Sequence, residues 1–188
     1  LFNNLVLSIA AASVLLGTLY PLLLEAVGGA KVSVGPPFFN RVFVPLMLPL
    51  VIAMAIGPLL PWKRGELLPV LRRLLLAALA ALGTAALAWT LAGAAHTWGL
   101  IGMALAAWLL VGTAIELAYR IKLGRAPLAE SGRRLIGLPR AAWGMSIAHA
   151  GLAVAIAGMT AAAVWQQEKE VRLAPGEAVT IAGYEAIL

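Results

Sequence analysis

The chain contains no cysteine among its 188 residues and carries few charges, with 14 Lys and Arg against 8 Asp and Glu. Without a thiol it cannot ligate an iron–sulfur cluster or attack a substrate through a cysteine of its own. The absence leaves the compartment open, because an outward-facing protein is free to lack disulfides. The chain opens at Leu1-Phe2-Asn3-Asn4, without the basic stretch and small-residue cleavage site of a secretory signal. It also lacks an initiator Met, which predicts a piece of a longer protein. Histidine is scarce, at His96 and His149 only.

Apolar residues fill the space that charge leaves, at 62% of the chain against 12% charged. Apolar runs near the roughly 20 residues a helix needs to cross hydrocarbon recur along it. Five spans are predicted, at Leu5–Leu24, Phe38–Leu60, Leu74–Leu91, Leu100–Tyr119 and Ala141–Trp165. The expected class is therefore an all-α polytopic membrane protein, with a bundle over 1–165 and the start of a small periplasmic β element over 166–188.

Ten of the fourteen basic residues fall in two connections: Lys63, Arg64, Arg72 and Arg73 in one, and Arg120, Lys122, Arg125, Arg133, Arg134 and Arg140 in the other. By the positive-inside rule both are cytoplasmic, so the N-terminus lies inside and the tail beyond Trp165 outside, in the periplasm of a bacterium. The net charge of +6 is thus a topology signal and not a nucleic-acid footprint.

Within the second span, Pro45, Pro49 and Pro58 each remove a backbone donor, which predicts a kinked or locally unwound helix inside the bundle. Spans three and four are predicted to form an antiparallel pair, with Trp89 and Trp98 at the outer interface. Span five carries small residues at Gly144, Ala148, Gly151, Ala155, Gly158 and Ala162, a seam along which another backbone is expected to approach. The polar tail suggests a hairpin, with Val171 and Leu173 before a Pro175-Gly176 turn and Val179 and Ile181 after it. Two strands rarely stand alone, so further strands are expected elsewhere.

Ionisable residues at membrane depth usually face a protein interior, a cavity or a cofactor. His149 sits deep in span five, beside the small-residue seam, with Met145 and Ser146 on its own face. Span geometry alone leaves it between a cofactor ligand and a hydrogen-bonded packing histidine. Glu116, one turn before Arg120, reads as an i,i+4 ion pair, with a proton-path carboxylate as the alternative. His96, beside Thr97 and Trp98, reads as interfacial. A transporter component would suit the proline-broken helix, but no repeated half is visible, and a passive docking scaffold is a third option.

Several strings together resemble the C-terminal part of the CcmF family, the large heme lyase subunits of bacterial cytochrome c maturation. They are Leu16–Leu23, Ser33–Asn40, Val44–Pro49, Gly57–Arg64, Pro139-Arg140, Trp143–Met145, Ala148–Gly151 and Arg172–Gly176. The resemblance implies a many-helix bundle that binds a b-type heme through two membrane histidines. His149 matches the later of these and would be an axial ligand of the heme iron, its other nitrogen held by Ser146 or a backbone carbonyl. No catalytic residue is carried over. The family's upstream histidine, its Trp-rich periplasmic segment and the flanking histidines have no counterpart here. The chain is therefore expected to be a fragment or split-gene subunit, catalytically incomplete alone. The implied partners are the upstream part of the same lyase, a heme chaperone, apocytochrome-binding subunits and apocytochrome c, at the bacterial inner membrane. Arg41 is weighed as a contact to a heme propionate, against snorkelling to the interface.

Overall fold

The computed structural model describes residues 2–60, 66–92, 97–166, 168, 170–181 and 183–187. The chain is mostly helical, with one small two-stranded sheet near its C-terminus. The long helices are α1 (Phe2–Ala26), α2 (Pro36–Ile56), α4 (Leu75–Ala92), α5 (Thr97–Arg120) and α7 (Arg140–Trp165). Two short ones, α3 (Leu67–Arg73) and α6 (Leu128–Ile136), lie in the connections, and β1 (Ala178–Ile181) and β2 (Tyr184–Ile187) close the chain.

Among the described residues, four helical stretches are long and apolar enough to cross a membrane: Phe2–Ala26, Pro36–Leu59, Thr97–Arg120 and Arg140–Trp165. A fifth exists if α3 and α4, bent by 53°, count as one span. The bend falls at Leu74, whose side chain is fully buried with Val70 and Ala77. It stays hydrogen-bonded through the bend, Leu74 N–H donating to Val70 O at 3.0 Å and Ala78 N–H to Leu74 O at 2.9 Å.

In the proline-rich second span the winding changes at one of its three prolines. Helix α2 begins with Gly35 before Pro36-Pro37, a pair suited to a first turn whose N–H groups have no partner anyway. It then runs as α-helix through both Pro45 and Pro49. Each proline removes a single donor, and the surrounding bonds suffice to keep the helical path. Only at Pro58 does the winding change, to a 3-10 turn over Gly57–Leu59.

Helix α5 is the hub, packing against α4, α7 and α2. One cluster joins Val51 and Ala55 of α2, Leu109 of α5 and Ala153 of α7, and a second joins Leu59, Val70, Leu74 and Ala77, with Trp108 touching both. Close approach comes from glycines of α5. A Cβ on Gly112 would stand 2.7 Å from that of Ala55, and one on Gly102 would overlap Thr160. The stripe on α7 does not serve this purpose: Gly144, Gly151 and Gly158 have nothing within 4 Å of a would-be Cβ, and all six stripe residues are exposed. At 100° per residue the stripe lies about 160° around the axis from Ala142, Ser146, Ala153 and Thr160, the face that α7 turns to its neighbours.

The hairpin also sits later than expected. Pro175-Gly176 forms a local turn, closed by Glu177 N–H to Ala174 O at 2.9 Å and Ala174 N–H to the Glu177 carboxylate at 2.9 Å. Residues 171–173 are not a strand. The paired strands are β1 and β2, antiparallel with Ile181 opposite Tyr184, and Gly183 takes the positive φ of 83° that the tight turn requires. Pro175 and Gly176 are spent before the first strand, and a glycine further on makes the reversal.

Candidate functional site around His149

Gly99 faces Val164, Gly102 faces Thr160, and Leu109 packs with Ala153. Ascending α5 therefore means descending α7. Extended by one more heptad, this antiparallel register brings Glu116 level with Ser146, one turn from His149 on the same face. The face of α5 that carries Gly102, Ala106, Leu109, Thr113, Glu116 and Arg120 repeats at alternating spacings of four and three, so the carboxylate is delivered into the seam and not to lipid.

Four polar or charged residues are buried among the described residues: Thr113, Glu116, Ser131 and Ser146. Three of them sit in this seam. The Thr113 hydroxyl donates to Leu109 O at 2.7 Å. Glu116, 5% exposed, accepts from Arg120 Nε at 2.9 Å through Oε1 and pairs through the same oxygen with Arg120 Nη2. Its Oε2 is buried without a hydrogen-bond partner. His149 is half-buried.

His149 stands about 140° around the axis from the small-residue stripe. The expectation that it borders that stripe is corrected by the face α7 buries. Ser146 is buried in the seam, yet its hydroxyl makes no hydrogen bond to His149 among the described residues. Arg41 is exposed near the start of α2. Helices α2 and α5 run parallel, with Ile52 beside Trp108 and Ala55 beside Gly112, so His149 is level with the far end of α2. At 1.5 Å per residue this separates Arg41 from His149 by about 20 Å along the bundle. The structure does not bring them together, and Arg41 is left at its interface. His96 and the Lys63-Arg64 pair lie outside the described residues.

No group of three or more His, Asp or Glu able to hold a metal ion occurs among the described residues. The arrangement cannot enclose a metal by itself. It does fit one half of an axial pair: a half-buried imidazole without a hydrogen-bond partner among the described residues, on the helix face that meets a buried carboxylate one turn away. Sequence reasoning took Glu116 only as the partner of Arg120. The overlooked signal was its place on the four-three stripe of α5, a charge on the face carrying that helix's glycines.

The basic residues of both connections meet at Tyr119, whose ring lies under Arg73 at 4.3 Å and Arg125 at 5.1 Å. The two basic connections are therefore at one end of the bundle. Helices long and apolar enough to span, with basic residues gathered at one end, define a multi-pass membrane protein.

Comparison with known proteins names the group. The chain is 42% identical over 97% of its length to the cytochrome c-type biogenesis protein CycK of Rhizobium meliloti. It is 43% identical over 98% to CcmF of Pseudomonas fluorescens, and 40% identical over 99% to CycK of Bradyrhizobium diazoefficiens. It spans 27–28% of the length of these relatives. The chain belongs to the CcmF family, corresponding to its C-terminal part. No family model matches it, and no solved structure does.

Proposed function

We propose that this chain supplies one axial ligand, His149, to a b-type heme held within the bacterial inner membrane by a cytochrome c heme lyase. The second histidine comes from the upstream part of the same lyase. The position of His149 carries the reading: it faces the seam of α5 and α7, on the buried side of a span, with its ring nitrogens free of hydrogen bonds among the described residues. A neutral imidazole in that state is a ready iron ligand.

Heme bound there would supply a one-electron couple that keeps the attachment chemistry reduced. The chain's own residues provide position and exclusion. Leu109, Ala153, Val51 and Ala55 close the seam to water beside the ligand. The charged end around Tyr119 fixes the depth of the helices, and with it the depth of His149. The thiols joined to heme belong to the apocytochrome, so a cysteine-free subunit suits the task. The heme chaperone and apocytochrome-binding subunits then meet the assembly from the periplasm, and the N-terminal end of α1 lies on the cytoplasmic side.

The test is a reduced-minus-oxidised absorption spectrum of the detergent-solubilised holoprotein. His149→Ala is expected to abolish the bands of the membrane heme while the helical circular dichroism is retained. Bands of unchanged position and intensity in that variant would remove the assignment.

A further inference from the structure

We propose that Glu116 is the positioning residue for His149, its uncommitted carboxylate oxygen accepting the imidazole N–H on the side of the ring that faces away from iron. This deepens the reading of His149 as an axial ligand and rests on it.

Three observations converge. Glu116 is almost wholly buried, and of its two oxygens only Oε1 is engaged, by Arg120, while Oε2 is buried without a partner. The register set by Gly99 with Val164, Gly102 with Thr160 and Leu109 with Ala153 puts Glu116 on the α5 face that meets the His149 face of α7, one turn away. His149 is itself half-buried on that face of α7. A buried carboxylate demands donors for both oxygens, and a neutral imidazole with one nitrogen on a metal has a single N–H left to give.

The other groups at the seam are committed or apolar. Thr113 is hydrogen-bonded to its own helix, α2 brings Val51, Met54 and Ala55, and Ser146 makes no bond to the ring. A carboxylate behind a metal-bound histidine fixes the tautomer and ring plane and raises the basicity of the ligating nitrogen. That favours ferric over ferrous iron, so Glu116 would hold the membrane heme at a lower potential than His149 alone would set.

The heme-loaded holoprotein is titrated as the parent, Glu116→Gln and Ser146→Ala. The expected result is a retained heme whose midpoint rises in Glu116→Gln by the equivalent of a tenfold change in the ferric-to-ferrous ratio, about 59 mV for one electron. Ser146→Ala is expected to match the parent. A midpoint in Glu116→Gln equal to the parent's overturns the proposal. If Glu116→Gln fails to fold, Glu116→Asp keeps the charge but shortens the reach, and the same pair of outcomes applies. A second readout is independent of the potential: in the reduced, heme-loaded protein the 15N resonances of the His149 ring should report one carboxylate-bonded N–H that changes in Glu116→Gln. Unchanged resonances overturn the proposal. Heme bands unchanged in His149→Ala would sink the ligand reading instead, leaving the nitrogen resonances to judge the Glu116 bond separately.

Discussion

Trp108 of α5 reaches across to α2 and donates its indole N–H to the carbonyl oxygen of Ile52 at 3.1 Å. The bond joins two parallel helices beside the clusters that hold the bundle together, where a donor has few alternatives. Trp108→Phe keeps much of the ring and deletes the donor, and is expected to cost about 1 kcal/mol. Reversible unfolding in mixed micelles measures it, and a variant as stable as the parent would show the bond to be idle.

Gly102 and Gly112 are where α5 meets α7 and α2 most closely. Gly112→Leu is expected to push α2 away and to cost about 1–3 kcal/mol, while Gly83→Ala on α4, with nothing within 4 Å of its added methyl, should be neutral or stabilising by up to about 1 kcal/mol. The same unfolding assay ranks the two. Equal effects would mean that the α5 seam is not tight.

Tyr119 lies under two guanidinium groups, those of Arg73 and Arg125. The ring face, and not the hydroxyl, makes these contacts. Tyr119→Phe should therefore be silent, and Tyr119→Leu should lose about 1–2 kcal/mol. Stability of the two variants side by side decides, with an equal loss in both pointing to the hydroxyl.

The absence of cysteine makes the orientation directly measurable. Val27 and Leu123 are both exposed. Val27 follows α1 at the end where Gly17 meets Phe38 and Phe39 of α2, and Leu123 follows α5 at the opposite, basic end. A membrane-impermeant maleimide added outside intact cells is expected to label Val27→Cys and to spare Leu123→Cys. The reverse pattern would invert the orientation.

The predicted spans and the observed helices agree closely for α1, α5 and α7, because a run of apolar side chains at a bilayer's length has few other stable forms. The third span was legible only in part. The predicted span Leu74–Leu91 matches α4, but the bend that joins α4 to α3 accompanies burial of Leu74 against Val70 and Ala77, a contact that no local pattern announces. The prolines of the second span signalled a weakness without saying which of them the surroundings would exploit, and the winding changes only at Pro58. The tail misled through its first turn signal, Pro175-Gly176, which closes a bend and not a hairpin.

The candidate site divides in the same manner. His149 was legible as a histidine within an apolar span. Its alignment with Glu116, 33 positions earlier, was not.

The amino-acid order alone determined that this chain enters a membrane, which end bears the positive charge and where its spans fall, because these follow from hydrophobic length and from charge near the helix ends. Which face of each helix is inside was decided by the tertiary structure. Helix α7 offers two faces of small residues, and the packing of α5 through its own glycines selected the one with Ser146, His149 and Ala153, leaving the Gly144–Ala162 stripe outward. The reason is physical: burial depends on how closely a partner helix can come, and that is a property of two surfaces together.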